Sequence, residues 1–320
     1  QLGNQGLSRW RDDALRDACG HFVFLRWDRH PHPVSATLHP APDAHAVYRS
    51  VFHADRVCFD ASWPDLQVRT TVWVSPEDDI EFREVELHNL GERALGMDVL
   101  SAFEPTLAED RADEAHPAFG QLFLRSEWLP ALQALLFTRQ PRLAGEPGLH
   151  MAHFLADADP AVAAPRGQTD RQAWRGRNHD ASHPRALVRV LEPGVQDTGL
   201  DPVSVLAVRL HIAGGGKARV TFATAAHADL ATLHAVIDKH RQASGVQRAS
   251  LMSATLAAVR ARDLHLGAES LGAVQTLSTA VMFSVDTQVT GATGDLPGAV
   301  DRRLLWRFGL SGDRPLIVVS

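Results

Sequence analysis

Three arginines surround one tryptophan in the segment 169–178, which reads Thr-Asp-Arg-Gln-Ala-Trp-Arg-Gly-Arg-Asn. The four side chains are Arg171, Trp174, Arg175 and Arg177. A guanidinium group donates forked hydrogen bonds to hydroxyl pairs, phosphate or carboxylate, and an indole can stack on the apolar face of a sugar. The segment is therefore a candidate binding loop for a sugar, a phosphate or an acidic partner surface. It can equally hold two neighbouring loops together.

A second candidate group is acidic and follows Phe103. Glu104 precedes a stretch that carries Glu109, Asp110, Asp113 and Glu114 and that ends in His116-Pro117-Ala118-Phe119. Paired carboxylates perform glycoside hydrolysis, so this stretch could contribute to such a reaction. Acidic surface loops are far commoner than catalytic pairs. We therefore interpret the segment from Glu104 to Phe119 mainly as a long surface loop.

The histidines and cysteines do not follow a ligand pattern. Four histidines alternate with prolines and have no carboxylate at ligand spacing, and these are His30, His32, His39 and His45. Cys19 and Cys58 stand alone. The run Gly214–Gly216 is not followed by the Gly-Lys-Ser/Thr of a phosphate loop. We therefore expect neither a metal nor another cofactor.

Composition narrows the class of protein. The chain has 320 residues, of which 45% are hydrophobic, and a net charge of -6. The negative charge gives no basic surface for nucleic acid, which we exclude as a partner. Apolar runs are far shorter than the ~20 residues of a membrane helix. We expect a soluble cytoplasmic domain, which could belong to a membrane-anchored parent.

The strands that would position these side chains centre on residues 66–103. Apolar side chains alternate in Leu66–Val74, in Ile80–Leu87 and in Leu95–Phe103, with turns at Ser75-Pro76 and Asn89-Leu90-Gly91. This pattern predicts a three-stranded antiparallel meander. The alternation changes phase near Arg83 and Glu84, for which we expect a β-bulge.

Later segments change from strand to helix periodicity. Val203–Ile212 and Ala218–Thr224 flank the glycine run and predict a hairpin. Beyond residue 227 apolar side chains recur every three or four residues, beginning after Asp229. This order predicts either an α+β arrangement or a β domain with a helical tail.

Several of these motifs together resemble glycoside hydrolase family 94, formerly glycosyltransferase family 36, and in particular the phosphorylase-like region of cyclic β-1,2-glucan synthases. The similar segments are Val74–Glu81, Ala112–Phe119, Thr169–Arg171, Arg175–Arg177 and Trp306–Pro315. They occur in the family's order along nearly the whole chain.

The resemblance implies a mainly β fold, an antiparallel supersandwich of the galactose mutarotase type with C-terminal linker helices. It implies a supersandwich carbohydrate-binding-type domain over residues 1–226, a helical linker over 227–303, and the start of an (α/α)6 catalytic barrel at 304–320. In the family, inorganic phosphate is a co-substrate and a carboxylic acid in the barrel protonates the leaving oxygen. That acid would lie beyond Ser320, so we expect no catalytic residue in these 320 positions.

The resemblance also implies partners and site residues. We expect a β-linked glucan or glucose oligosaccharide as ligand, the downstream barrel as a neighbour, and a homodimer as a further association. The candidate substrate-binding residues are His116, Arg171, Trp174, Arg175, Arg177, Ser311 and Asp313. These candidates point to a non-catalytic carbohydrate-handling domain of a β-glucan phosphorylase or cyclic glucan synthase.

Two other functions remain open. A self-sufficient aldose-epimerase-like enzyme would need a His and a Glu that face each other across a cleft, and Glu104 with His116 is the pair that the sequence offers. The second alternative is a purely structural interaction module.

Overall fold

The computed structural model describes residues 2–11, 18–28, 30–141, 148–159, 162–189, 191–195, 201–284, 306 and 309. The chain divides into two compact units, Gln1–Ala257 and Ala258–Ser320. The first unit contains both large sheets.

Fifteen strands lie in the described residues. In chain order they are β1 (Gln5–Ser8), β2 (Phe22–Trp27), β3 (Val34–Ser35), β4 (Val47–Phe52), β5 (Arg56–Ser62), β6 (Leu66–Val74), β7 (Ile80–Asn89), β8 (Leu95–Phe103), β9 (Pro105–Glu109), β10 (Leu124–Leu129), β11 (Ala134–Arg139), β12 (Leu149–Ala158), β13 (Arg166–Asp170), β14 (Pro202–Ile212) and β15 (Lys217–His227).

Six α-helices accompany these strands in the described part of the chain. They are α1 (Asp110–Ala115), α2 (Pro117–Gln121), α3 (Arg171–Arg175), α4 (Leu230–His240), α5 (Ala243–Asp263) and α6 (Ala268–Ser284). A short 3₁₀ helix covers Arg185–Val188. The predicted helix start is confirmed, because the Asp229 carboxylate accepts a hydrogen bond from the Thr232 backbone N–H at 2.7 Å.

Two large antiparallel sheets form the body of the first unit. The eight-stranded sheet has the order β10-β11-β12-β15-β7-β6-β5-β4, and the five-stranded sheet has the order β13-β14-β8-β2-β3. Strands β1 and β9 form a separate pair. Side chains of both large sheets meet in one core, which includes Val85, Leu87, Val99 and Val208. The prediction of a mainly β, antiparallel fold with C-terminal helices is confirmed.

Strand β7 has no bulge, so that prediction is wrong. Its pairing with β6 continues without a register shift over the whole strand. Val85 and Leu87 point into the core between the sheets, whereas Ile80 and Phe82 pack on the opposite face. The phase change therefore reflects a sheet that is buried on both faces, with each face covered at a different end of the strand.

Helix α4 and the start of α5 cover that second face. Leu233, Ile237 and Val246 pack against Trp73 and Phe82 of the eight-stranded sheet. This contact buries the aromatic ends of β6 and β7. Among the helices that the structure describes, none combines the length and apolar character needed to cross a membrane.

Two tight turns carry the chain between the sheets, and they correct two further predictions. Strand β7 lies in the eight-stranded sheet, but β8 lies in the five-stranded sheet between β14 and β2. Strands β14 and β15 are likewise in different sheets. The meander over residues 66–103 and the hairpin at Gly214–Gly216 are therefore both wrong.

Asn89 fixes these two turns against each other. Its side-chain amide donates to the carbonyl oxygens of Ile212 and Ala213 at 3.2 and 3.0 Å. Gly214 passes so near the other turn that a Cβ there would lie 2.0 Å from the Glu92 carbonyl oxygen. Glycine at this position permits the close contact of the two crossings.

Candidate functional site

The arginine-rich segment is a short capped helix rather than an open loop. The Asp170 carboxylate accepts hydrogen bonds from the backbone N–H groups of Gln172 and Ala173 at 2.8 and 3.0 Å, which starts α3. The helix ends at Gly176, whose φ of +79° lies in the region that favours glycine. A Cβ there would lie 2.6 Å from the Arg185 Cβ. The arginines thus project from a fixed turn.

Trp174 is a core residue. It is 6% exposed and its ring centroid lies 6.0 Å from that of Phe24. It packs on the outer face of the five-stranded sheet in a cluster with Leu100 and Leu187. With only 6% of its surface exposed, Trp174 does not offer an open stacking platform for a sugar, although it lines the edge of a small pocket.

Arg171 is held by acidic side chains. Its Nε donates to Glu104 Oε1 at 2.6 Å, and its Nη1 donates to Asp201. The other oxygen of Glu104 accepts a hydrogen bond from Arg9 Nη1 at 2.5 Å. Glu104 thus lies between two guanidinium groups, at the junction of β8 and β9.

Arg9 extends this network to helix α1. It forms a bidentate pair with Asp113, with both N–O distances at 3.1 Å, and Arg11 also donates to Asp113 at 2.6 Å. Burial alone would lower the pKa of Arg9, but the Asp113 and Glu104 carboxylates raise it above its ordinary value. We call Arg9, Arg11, Glu104, Asp113, Arg171 and Asp201 the arginine–carboxylate network.

The acidic segment after Phe103 is not the predicted long loop, and the arginine–carboxylate network explains how its carboxylate Asp113 can be buried. Residues 105–121 form β9, α1 and α2. Asp113 is 4% exposed although it lies in an acidic stretch, because two arginines neutralise it. Nothing near Arg9 in the sequence signals this role, since its partners are about a hundred residues away.

His116 and Glu104 do not form the acid–base pair that an epimerase would need. His116 is exposed at the junction of α1 and α2. Both oxygens of Glu104 already accept hydrogen bonds from arginines. A carboxylate clamped in this way is poorly suited to take a proton from a substrate.

Arg175 has a different position from Arg171. It is half-buried and lines a shallow pocket beside Phe22, Trp174 and Glu104. Among the residues that the structure describes, no carboxylate or carbonyl pairs with it. The pocket holds about 30 Å³, enough for one or two hydroxyl groups but not for a whole sugar ring. We call it the arginine pocket.

The remaining predicted binding residues are Arg177, Ser311 and Asp313. Arg177 is exposed just beyond the pocket-lining helix. Ser311 and Asp313 lie outside the described residues.

Cys19 also lines the arginine pocket, and burial together with the nearby Glu104 raises the pKa of its thiol. The thiol is therefore a poor nucleophile.

Metal binding has no support in the described part of the chain. No group of three or more His, Cys, Asp or Glu side chains there could hold a metal ion. The acidic residues of the network are each neutralised by arginine rather than left available for a cation.

Comparisons with known proteins connect the chain to one family. Residues 1–243 match the family described as "Glycosyl hydrolase 94, supersandwich domain". The chain is 28% identical over 319 residues to the cyclic beta-(1,2)-glucan synthase NdvB of Rhizobium meliloti (strain 1021), and the match covers 98% of this chain and 11% of the relative. A solved structure titled Polysaccharide Lyase BACCELL_00875 aligns with a TM-score of 0.34 at 12% identity, over 68% of this chain and 27% of its own.

The family match spans well over half of the residues and includes both large sheets. The sequence resemblance and the two stacked antiparallel sheets therefore lead to the same assignment. The chain belongs to the glycosyl hydrolase 94 supersandwich domain family.

Proposed function

We propose that this chain is a non-catalytic carbohydrate-binding domain that forms one wall of a sugar site in a β-glucan phosphorylase or cyclic β-1,2-glucan synthase. The observation that carries the proposal is the unpaired, half-buried guanidinium of Arg175 at the arginine pocket, as far as the described residues extend. A half-buried donor without a partner gains free energy when a hydroxyl oxygen accepts from it.

The small volume of the arginine pocket supports a domain that supplies one wall of a sugar site rather than the complete site. A space of about 30 Å³ can take the hydroxyl groups at the edge of a glucan, while the rest of the polymer would lie against another surface. The named relative is a cyclic beta-(1,2)-glucan synthase, and this chain spans 11% of its length. The other surface is the downstream barrel in this proposal.

The catalytic steps belong elsewhere in the parent molecule under this proposal. Glu104, the glutamate that lines the arginine pocket, is held by Arg9 and Arg171. Inorganic phosphate would be a co-substrate of the parent enzyme, whose cytoplasmic location and homodimeric state are likewise proposals. We also propose a domain over 1–226, a helical linker over 227–303 whose first helix α4 packs on that domain, and a barrel start at 304–320.

Calorimetric titration with β-1,2-linked glucose oligosaccharides tests the proposal. We expect saturable binding that is weaker for cellobiose and laminari-oligosaccharides. Replacing Arg175 with Ala should weaken binding by at least about tenfold, the value of one charge-assisted hydrogen bond.

Arg177→Ala is the matched control, because Arg177 is exposed and lies two residues away on the same segment. We expect its effect to be smaller than that of Arg175→Ala. No saturable binding of any glucan would favour a structural module instead. Equal losses in the two variants would refute the role of the arginine pocket.

A further inference from the structure

A second, larger pocket lies at the end of the first unit where β1 meets the β6–β7 turn. Its apolar lining residues are Leu2, Leu7, Val74, Ile80 and Phe103. Its polar lining residues include His21, Glu81, Arg83 and Thr224. We call it the His21 pocket. It shares only Phe103 with the arginine pocket.

The size of the His21 pocket limits its ligand. Its volume is about 140 Å³. Because a water molecule needs about 10–15 Å³ of such space, the pocket accepts on the order of ten non-hydrogen atoms. This is the size of one six-membered ring with its substituents.

Two polar atoms of the pocket have no hydrogen-bond partner among the described residues, and together they match the hydroxyl groups of a ligand. Arg83 Nε donates to Glu81 Oε1 at 2.8 Å, but no described residue donates to Glu81 Oε2 or accepts from Arg83 Nη2. The acceptor and the donor therefore lie side by side. Two neighbouring hydroxyl groups match this pattern, since one can donate to the carboxylate while the other accepts from the guanidinium.

His21 adds a third polar contact. Its Nε2 is hydrogen-bonded to Ser101 Oγ at 2.7 Å, whereas its Nδ1 lies 3.7 Å from Glu81 Oε1, too far for a direct bond. A ligand hydroxyl could bridge this gap. Burial, the Arg83 charge and the neighbouring His153 lower the pKa of His21 well below its ordinary value, so the imidazole is neutral.

The charges of the lining disfavour an anionic ligand. Glu81 balances Arg83, His21 is neutral, and Asp79 at the rim adds one negative charge. An anion would compete with Glu81 for Arg83 and be repelled by Asp79. A cation would be attracted to Asp79 at the rim, but it would find Glu81 already neutralised by Arg83.

We propose that the His21 pocket binds a single neutral sugar ring through a vicinal pair of hydroxyl groups on Glu81 and Arg83, with the apolar wall against the C–H face of the ring. This site is separate from the arginine pocket. It would give the domain a binding position for a monosaccharide or for the end residue of a chain, whether or not the proposed glucan wall exists.

Saturation-transfer NMR and calorimetry of the full chain with glucose as the probe test this inference. We expect saturable glucose binding and none by inorganic phosphate. Glu81→Gln should weaken glucose binding at least about tenfold, because the amide offers a poorer acceptor beside Arg83. Val74→Trp should also abolish binding by filling the pocket from its exposed rim.

A control variant separates the possible outcomes. Glu86→Gln changes a residue on the same strand but outside the His21 pocket. It should keep glucose affinity unchanged, with native circular dichroism spectra in all variants. Absence of saturable glucose binding, or binding that Glu81→Gln and Val74→Trp leave intact, would overturn the inference. If glucan binding is lost in Arg175→Ala but not in Glu81→Gln, the proposed function is supported, and the glucose result for the His21 pocket is judged separately.

Discussion

At the scale of single residues, Arg171 and Arg175 lie one helical turn apart and have different surroundings. Arg171 is paired with Glu104 and Asp201, so its charge is already neutralised. Arg175 has no such partner among the described residues and lines the arginine pocket. A ligand can therefore gain a charge-assisted hydrogen bond from Arg175 without breaking an existing ion pair.

Trp174 is predicted to matter for stability rather than for ligand choice. Trp174→Ala should lower the free energy of unfolding by about 3–5 kcal/mol, because it leaves a cavity between Phe24 and Leu187. Trp174→Phe should cost less and keep glucan affinity. Urea unfolding with parallel calorimetry checks both values. A loss of affinity in a fully folded Trp174→Phe variant would argue for direct stacking.

Glu104 and His116 should respond differently to substitution. Glu104→Gln removes a charged partner from both Arg9 and Arg171 and should reduce the free energy of unfolding by about 1–3 kcal/mol. His116→Ala, at an exposed helix junction, should change it by less than about 0.5 kcal/mol. Chemical denaturation of the two variants provides the comparison. Equal effects would contradict the structural role of the arginine–carboxylate network.

At the scale of elements, each face of the eight-stranded sheet is covered over part of its area, and this arrangement limits what local sequence can reveal. Strand positions follow from alternation, as Leu66–Val74 and Ile80–Asn89 demonstrate. The face on which each end is buried depends on α4, which follows about 150 residues later. The phase change in β7 therefore has the same local signature as a bulge.

The candidate site was predictable to a similar extent. Asp170, Arg171 and Arg175 could be grouped because they are neighbours in sequence. The partners Arg9 and Asp113 could not be assigned, since ion pairs across such separations depend on how β1 and α1 meet. Sheet membership of β8 and β15 was inaccessible for the same reason, because a tight turn can return a strand or cross to another sheet.

The helical cover leads to a prediction about the domain boundary. A fragment of residues 1–226 lacks α4 and exposes Trp73 and Phe82, whereas a fragment of residues 1–257 retains the cover. Burial of Leu233 and Ile237 contributes about 1.5–3 kcal/mol each. We expect cooperative urea unfolding only for the longer fragment. Identical unfolding midpoints would mean that the helices add nothing to the sandwich.

Two histidines between the sheets should make stability depend on pH. Burial lowers the pKa of His153 to about 3, and it lowers that of His21 well below the ordinary value near 6.5. The unfolded chain binds a proton at each histidine as the pH falls below 6.5, while the folded chain does not. The contribution of these neutral histidines to the free energy of unfolding is therefore fully present above pH 6.5, and it is lost on acidification towards pH 3.

For His153 the expected loss in the free energy of unfolding is about 2 kcal/mol between pH 6.5 and pH 5, from about 1.4 kcal/mol per pH unit. His153→Asn retains a hydrogen-bond donor for the Ala223 carbonyl. It should reduce the dependence of the free energy of unfolding on pH by the contribution of His153. Urea unfolding at pH 7, 6 and 5 measures the slope. An unchanged slope in His153→Asn would show that His153 is not buried as a neutral imidazole.

At the level of the whole chain, residues 1–243 match the supersandwich domain of the family, and the chain spans 11% of a cyclic beta-(1,2)-glucan synthase relative. The described residues place an unpaired donor at a shallow surface pocket, while the acidic groups nearby are neutralised. This combination supports the proposal of a wall that holds a neutral polymer.

The proposed function requires that the arginine pocket contacts glucan. Heteronuclear NMR of the Arg side-chain Nε–H signals during titration with β-1,2-linked glucose oligosaccharides measures this contact. We predict a saturable shift of the Arg175 signal, with the paired Arg9 and Arg171 signals nearly unchanged. An Arg175 signal that stays fixed while the oligosaccharide binds would contradict the claim.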